Sequence, residues 1–339
     1  MNVKLLDCTL RDGGHVNNAD FGEEKISCII RGLTAAGMDY IELGFLRDGL
    51  FSRDQALYND VTEIYPYLPD HEGKSKYTVM VRPDWYDIRQ LSDSDGRIEI
   101  IRFAFYYRDI ELMRKYAQTV SRKKYRFICN PVNIMGYSDT DLQELIKQIN
   151  DIHPEQLTMV DTYGSMTIKD LHRIYDIIES RLDRDIRIGL HLHENQSLSF
   201  GLAQEFLRIK ENDRNAVIDG SLLGMGRIPG NLCIEIISDY MNKQYGDSYD
   251  NDILYKMIGE YIEPIKREIP WGYSPAYFMT AQLNMHRSYA EFILKKHEFD
   301  LYDISQILKS IDIPMRSEFH NKHLEEKCEE YRRRKTNGK

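Results

Sequence analysis

The stretch that decides the fold is DIRIGLHLHEN, residues 185–195. Apolar residues alternate along its first part, which is typical of a buried strand rather than of a helix. Alternate side chains of a strand point to the same side, so we expect His191 and His193 to project together from the end of this strand. Neutral imidazole is a good ligand for divalent transition metals. The pair therefore indicates a metal site.

A carboxylate for the same site lies far upstream, in the sequence LRDGGH of residues 10–15. It follows the first strand-like stretch, and Asp12 is the residue that supplies the carboxylate. A His-x-His pair also occurs by chance, and the two histidines are then ordinary core or surface residues. The organisation of the whole chain decides between these interpretations.

Strand-like and helix-like stretches alternate along most of the chain. The strand-like stretches are residues 3–10, 40–45, 77–82, 98–105, 125–132, 156–162, 186–193 and 217–223. The helix-like stretches are residues 23–36, 53–65, 84–91, 109–120, 140–151, 168–181, 199–210 and 232–241. Strands separated by helices run parallel, because each helix provides the return path. About eight such units predict an α/β fold of the closed (β/α)8 type, a TIM barrel.

An open doubly wound sheet is the alternative fold. Such a sheet usually carries a glycine-rich nucleotide-binding turn after its first strand. The sequence DGGH at residues 12–15 is not that turn. The closed barrel is therefore the favoured fold.

Polar residues collect where the predicted strands end, which is where barrel enzymes carry their chemistry. Besides Asp12 and the histidine pair, they are Arg11, His15, Glu42, Arg82, Arg102, Asn130 and Asp161. Charged side chains in apolar strands are costly unless they are paired or bind a ligand. For Glu42, Arg82 and Arg102, buried ion pairs that hold the barrel together explain the residues as well as a functional role does.

A glycine-rich sequence, GSLLGMGRIPGN at residues 220–231, follows the last predicted strand. Glycine lets a backbone turn tightly and approach a ligand closely, although an ordinary connecting loop has the same composition. We expect Asn231 to begin a helix beside the metal site. Its amide oxygen would then contact the ion or its ligands.

Composition and charge exclude several classes of function. The chain has 339 residues, enough for one α/β barrel and an appendage. Its net charge of −9 argues against nucleic acid as the main partner. The sequence contains no signal-peptide pattern and no apolar run that could span a bilayer, so we expect a cytoplasmic protein with no membrane partner. The five cysteines are scattered and lack Cys-x-x-Cys spacing, which predicts reduced thiols and no structural zinc.

Three motifs together resemble a known superfamily. They are DCTLRDG at residues 7–13, the pair His191 and His193, and Gly224-x-Gly226 running to Gly230 and Asn231. In this order they resemble the signature of the metal-dependent lyases and synthases related to 3-hydroxy-3-methylglutaryl-CoA (HMG-CoA) lyase. That group of TIM barrels includes the isopropylmalate, homocitrate and citramalate synthases and the 4-hydroxy-2-oxovalerate aldolases.

The aldolase branch is the most similar to this chain. Its members carry a histidine two residues after the glycine of the Arg-Asp-Gly motif, as His15 does here, and NQSLSFG at residues 195–201 is similar to an aldolase motif. Beyond a barrel of residues 1–244, the sequence WGYSPAY at residues 271–277 resembles the small helical domain of those aldolases. We therefore expect a helical C-terminal domain at residues 250–339 that caps the barrel mouth.

The resemblance implies a lyase that cleaves or forms a 4-hydroxy-2-oxo acid, giving pyruvate and an aldehyde through a metal-stabilised enolate. Asp12, His191 and His193, with Asn231 as a secondary ligand, would bind Mn²⁺ or Mg²⁺. Arg11 would stabilise the enolate, His15 would act as the base, and Tyr273 would contact the aldehyde side. The resemblance also leaves open a homo-oligomer and an acylating aldehyde dehydrogenase partner.

Three other functions fit parts of the sequence. A Claisen-type acyl-CoA lyase or synthase, acting on a 2-oxo acid and acetyl-CoA, would use the same metal site. A non-haem iron oxygenase also uses two histidines and one carboxylate. A scaffold subunit would retain the barrel without its chemistry. Release of free CoA would identify the lyase or synthase, and oxygen uptake with Fe(II) would identify the oxygenase. The metal content of the purified protein distinguishes a scaffold subunit, which need not keep the ligands.

Overall fold

Parallel strands close into a barrel at the centre of the molecule. The computed structural model describes residues 3–70, 74–227 and 229–337. Within these ranges the strands are β1 Val3–Asp7, β2 Tyr40–Leu46, β3 Leu57–Tyr58, β4 Lys76–Val81, β5 Ile100–Phe105, β6 Arg126–Pro131, β7 Gln156–Asp161, β8 Arg187–Leu192 and β9 Ala216–Gly220. All of them pair in parallel, in the order β1-β9-β8-β7-β6-β5-β4-β2, and β3 lies beside β2.

Strand β1 closes the barrel. Leu6 and Asp7 pair with the start of β2, while the whole of β1 pairs with β9, from Val3 opposite Ala216 to Asp7 opposite Gly220. A doubly wound sheet would leave two open edges, so the closure excludes that alternative. The TIM barrel predicted from the sequence is confirmed.

Helices surround this barrel and continue beyond it. Within the described ranges the α-helices are α1 Gly14–Asn17, α2 Glu23–Ala35, α3 Ile110–Arg122, α4 Asp139–Ile152, α5 Ile168–Glu179, α6 Ser199–Ile209, α7 Ile234–Tyr245, α8 Asn251–Met257, α9 Glu263–Glu268, α10 Pro275–Gln282, α11 Ser288–Lys295, α12 Leu301–Lys309 and α13 Asn321–Asn337. None of the helices in the described part of the chain has the length and apolar character needed to cross a membrane.

Helix α5 illustrates why these segments are helical. Thr167 and Asp170 form a capping box that satisfies free backbone N–H groups at its start. Leu171, Ile174 and Ile178 follow at intervals of three and four residues and are buried. This spacing places them on one face of the helix, so packing of that face holds α5 against the outside of the barrel.

Two predicted helices are wrong. Residues 53–65 form β3 and short 3₁₀ turns, and residues 84–91 contain only a 3₁₀ turn, Ile88–Gln90. In both segments an aspartate competes with helix formation: the side chain of Asp60 accepts a hydrogen bond from the backbone of Thr62, and Asp87 does the same for Arg89. Such local hydrogen bonds favour turns over helices.

The helices after the barrel divide between two hydrophobic clusters. Leu254, Met257 and Ile262 of residues 251–271 belong to the same core as the barrel. A second cluster begins at Ala276 and ends at Cys328. The division between the clusters therefore falls after Trp271, whereas the domain limits 1–244 and 250–339 stay a prediction.

The second cluster contacts the loops at the carboxyl ends of the strands. Ser165, after β7, donates a hydrogen bond to the side chain of Asn284 at 2.9 Å. Asn195, after β8, donates from its side chain to the backbone carbonyl of Tyr277 at 3.3 Å. The C-terminal helices thus lie against the end of the barrel where a TIM barrel carries its active site.

Candidate metal centre and active site

Asp12, His191 and His193 converge at the carboxyl end of the barrel. Each is buried, and one potential ligand atom from each lies within 4.8 Å of the others. Oδ2 of Asp12 is 3.6 Å from Nε2 of His193, and the two imidazole rings are 5.0 Å apart. The structure therefore brings together the three side chains that the sequence predicts as metal ligands.

Each histidine is oriented through its second ring nitrogen. Nδ1 of His193 donates to the backbone carbonyl of Asp161 at 2.9 Å, because a carbonyl can only accept. Nδ1 of His191 lies 3.1 Å from Oδ2 of Asp219. Contacts of this kind fix the tautomer and leave Nε2 with a lone pair, as in many metal-binding histidines. Nε2 of His193 is buried and has no hydrogen-bond partner among the described residues.

Asn231 offers a further oxygen beside this cluster. The prediction that Asn231 begins a helix is wrong. Helix α7 begins at Ile234, and Asn231 pairs with His193 as a β-bridge. Its Nδ2 donates to the backbone carbonyl of Met225 at 3.2 Å, which leaves Oδ1 buried and without a partner among the described residues.

These donor atoms fit a divalent metal. Two imidazole nitrogens, a carboxylate and an amide oxygen form a mixed nitrogen and oxygen set of the kind that Mn²⁺ and related ions accept. Leaving buried polar atoms without partners costs free energy, and a bound cation would remove that cost.

Ion pairs behind the ligands hold them in place. Arg11 donates from its side chain to Asp12 at 2.5 Å and to Glu42 at 2.6 Å. Arg102 lies 3.0 Å from Glu42 and donates to Asp219 at 2.5 Å, so the network reaches His191. The interpretation of Glu42 and Arg102 as buried ion-pair residues agrees with this geometry, and the same pairs also orient the metal ligands.

Asp219 is the residue that sequence reasoning missed. Its carboxylate links Arg102 to His191, and it is almost fully buried. The signal was a single acidic residue in the apolar sequence of β9, which is costly to bury without a partner. Its position opposite His191 depends on the pairing of β8 with β9 and cannot be deduced from sequence spacing.

The electrostatics fix the charges of two central groups. Burial would raise the pKa of Asp12, but the guanidinium of Arg11 and then His193 outweigh it, so the pKa lies well below its usual value. Burial lowers the pKa of His15 well below its usual value, and the positive charge of Arg227 lowers this pKa further. Asp12 is therefore anionic and His15 neutral at neutral pH.

A cavity opens in front of these groups. Its lining includes predicted site residues, namely Arg11, Asp12, His15, Arg82, Arg102, Asn130, His191 and His193. Aromatic and apolar side chains complete the wall, among them Phe45, Trp85 and Tyr106. A concave site that combines convergent polar groups with aromatic and apolar side chains is typical of a small-molecule site.

The structure does not bring Tyr273 to this cavity. Its side chain is 58% exposed and packs near Phe278, with ring centres 6.3 Å apart. It is absent from the described residues that line the cavity. Gly272 has a φ of +132°, a conformation that favours glycine, and Pro275 begins α10, so the chain turns outward here. The aldehyde-side contact of Tyr273 stays a prediction.

Comparison with known proteins shows which families this chain is similar to. The family model described as HMGL-like matches residues 106–257. Over 283 residues the chain is 26% identical to a 4-hydroxy-2-oxovalerate aldolase from Bacillus cereus, and the alignment covers 80% of each protein.

Solved structures share the fold. The N-terminal domain of a Bacteroides vulgatus protein, provisionally named an aldolase, has a TM-score of 0.74 and 23% identity, covering 86% of this chain and 96% of that one. An HMG-CoA lyase from Brucella melitensis has a TM-score of 0.63 and 14% identity, covering 78% and 99%. Residues 106–257 of the chain thus match the HMGL-like family, and the chain is similar to 4-hydroxy-2-oxovalerate aldolases, which is consistent with a carbon–carbon lyase on a TIM barrel.

Proposed function

We propose that this chain is a divalent-metal-dependent aldolase that cleaves, or forms, a 4-hydroxy-2-oxo acid to give pyruvate and an aldehyde. The observation that carries the proposal is the buried cluster of Asp12, His191 and His193, whose ligand atoms lie within 4.8 Å of one another. Arg11 and the neutral His15 line the same cavity, so a cation, a proton acceptor and a metal site face one substrate.

Asp12, His191, His193 and Asn231 would hold Mn²⁺ or Mg²⁺, which supplies Lewis-acid stabilisation of negative charge that develops on the 2-oxo oxygen. Arg11 contributes in the same direction. Its Nε and one terminal nitrogen are fixed by Glu42 and Asp12, so its remaining N–H groups are held in place toward the cavity. Donors fixed in advance stabilise developing charge without reorganisation during the reaction.

His15 acts as the base for cleavage. Its neutral imidazole accepts the proton of the 4-hydroxyl group, the C3–C4 bond breaks, and the aldehyde leaves. The bonding electrons pass to the three-carbon fragment, which becomes the enolate of pyruvate. Protonation at C3 then gives pyruvate, so atoms and charge balance. In the reverse direction the same imidazole returns its proton to the new hydroxyl group.

A Claisen-type lyase or synthase that acts on an acyl-CoA is the second candidate. The similarity to HMG-CoA lyases is compatible with it, because those enzymes share the barrel. Incubation with acetyl-CoA and a 2-oxo acid distinguishes the two candidates. The aldolase proposal predicts no metal-dependent release of free CoA.

Further properties belong to the same proposal. We propose a cytoplasmic enzyme acting on a small 2-oxo acid, in line with the five free cysteines. From the resemblance to the oxovalerate aldolases we also propose a homo-oligomer and an aldehyde dehydrogenase partner. Co-purification and size measurement address these two points.

The direct test is a screen of 4-hydroxy-2-oxo acids of increasing chain length for pyruvate release with added Mn²⁺. We expect metal-dependent release by the wild-type protein. H15A should retain metal but cleave about 10²-fold more slowly, as expected when a general base is lost. H172A is the matched control, because His172 lies on the outer helix α5 and pairs with Glu205. Failure of every substrate in the presence of metal would contradict the proposal.

A further inference from the structure

Arg227 is a cation of the cavity lining that has no counter-charge among the described residues. It lies in the loop after β9, where its backbone N–H donates to Oδ2 of Asp12 at 3.3 Å and its backbone carbonyl accepts from the N–H of Gly230 at 2.9 Å. Its side chain makes no hydrogen bond or ion pair with any described residue. The other arginines of the lining each have a carboxylate partner: Arg11 has Asp12, Arg82 has Asp84 and Arg102 has Asp219.

The positive charge of Arg227 acts where the C-terminal helices meet the barrel. Burial lowers the pKa of His286 to about 3, and Arg227 and Arg287 lower it further. Burial also lowers the pKa of Arg287, and Arg227 acts on it in the same direction. His15 on α1, which lines the same cavity, experiences the same charge. A neutral ligand would leave this concentration of positive charge uncompensated.

The charge balance of the metal centre leaves no negative charge there to pair with Arg227. Arg11 and Arg102 face three carboxylates, those of Asp12, Glu42 and Asp219. This group therefore carries one net negative charge, and a divalent cation would make it one net positive charge. The carboxylate of a 2-oxo acid neutralises that remaining charge. The substrate's first anionic group is thus used at the metal centre, and Arg227 still lacks a counter-charge.

We infer that Arg227 binds a second anionic group, a carboxylate or a phosphate, on the aldehyde half of the substrate. The inference rests on the proposed aldolase function and narrows its substrate to 4-hydroxy-2-oxo acids with two anionic ends. An arginine suits this role because its planar guanidinium donates two parallel hydrogen bonds to either group. Arg82, stacked 4.1 Å from the Trp85 ring centre, lines the same cavity.

The test measures binding of unreactive substrate analogues by calorimetry on the Mn²⁺-loaded protein. 2-Oxoglutarate has a carboxylate at its far end, 2-oxo-4-phosphonobutyrate has a phosphonate, and 2-oxovalerate has a methyl group. All three lack a 4-hydroxyl group and cannot be cleaved. We expect the better dianion to bind at least about tenfold more tightly than 2-oxovalerate, as expected for hydrogen bonds to a charged group. The dianion that binds more tightly identifies the group.

Variants connect that preference to Arg227. In R227Q the ratio of dianion to 2-oxovalerate affinity should fall toward one, and R227K should retain part of it. R208Q is the matched control, because Arg208 is an exposed arginine on α6 that pairs with Glu205, and its ratio should equal that of the wild type. Equal binding of all three analogues by the wild type, or an unchanged ratio in R227Q, would overturn the inference and leave the aldolase proposal standing. Binding of none of them would contradict both.

Discussion

At the level of single residues, the metal centre depends on the absence of a side chain at Gly226. A Cβ atom at Gly226 would lie 2.3 Å from Nδ2 of Asn231 and 2.8 Å from Oδ2 of Asp12. Real atoms do not approach so closely, so even a methyl group would displace a predicted ligand. The glycine in this loop therefore preserves the space that Asp12 and Asn231 occupy.

Substitution of Gly226 tests this directly. We expect G226A to fold but to bind Mn²⁺ about 10- to 100-fold more weakly, the usual effect of disturbing the groups that orient metal ligands. Calorimetric titration with Mn²⁺ measures the change. G201A is the matched control, because a Cβ at Gly201 in α6 meets no atom within 4 Å. Wild-type affinity in G226A would remove the glycine from this role.

The ligands themselves could be predicted at this scale, whereas their supports could not. His191 and His193 are separated by one residue, so strand geometry alone predicts that they project together. Asp219 and Gly226 contact parts of the chain that come together only after folding, and their roles depend on the distances in those contacts. No local pattern encodes those distances, so sequence reasoning identified the glycine-rich loop that contains Gly226 but not its contacts, and it missed Asp219.

At the level of elements, one buried arginine ties four strands together. Arg102 of β5 contacts Glu42 of β2, Asn130 of β6 and Asp219 of β9. Its side chain is 1% exposed, and those of both carboxylates are fully buried. Removal of the guanidinium would leave the buried Asp219 without its arginine and Glu42 with Arg11 alone, which costs far more than loss of a surface ion pair.

R102M should therefore lose about 3 to 5 kcal/mol of unfolding free energy, the range for breaking a buried ion pair. Urea denaturation followed by circular dichroism gives the value. R97M serves as the control, since the pair of Arg97 with Asp95 is exposed and should contribute less than about 1 kcal/mol. A loss in R102M no larger than that in R97M would show that the network does not stabilise the barrel.

Elements also show where prediction from sequence ends. Regular hydrophobic periodicity correctly predicted α5 and the barrel strands, because the apolar residues of that periodicity are the ones that pack in the core. Residues 53–65 and 84–91 also looked helical, but Asp60 and Asp87 hold short turns instead. The competing hydrogen bonds of an aspartate depend on the conformation of neighbouring residues, so composition alone does not reveal them.

For the whole molecule, a buried carboxyl in β1 makes stability depend on pH. Burial raises the pKa of Asp7 from 3.8 to about 7, although hydrogen bonds from Thr9 oppose the shift. Between these values the folded protein retains a proton that the unfolded chain has released. Unfolding free energy therefore falls as pH rises through this window, by up to about 1.4 kcal/mol per pH unit. Asp161, whose pKa burial raises to about 6, acts in the same direction.

D7N removes the titrating group but keeps its shape. Relative to the wild type, its unfolding free energy should increase by roughly 3 kcal/mol between pH 4 and pH 8. Urea denaturation at several pH values measures this difference. D213N, a substitution of an exposed aspartate, provides the control. Parallel pH profiles for D7N and the wild type would refute this origin of the pH dependence.

The central claim is that residues from opposite ends of the barrel sequence form one metal site, and equilibrium titration of the metal-free protein with Mn²⁺ tests it most directly. We predict one bound ion per chain for the wild type. D12N, H191A and H193A should each bind at least about 100-fold more weakly while remaining folded. Binding of one Mn²⁺ with wild-type affinity by the double variant H191A/H193A would contradict the account.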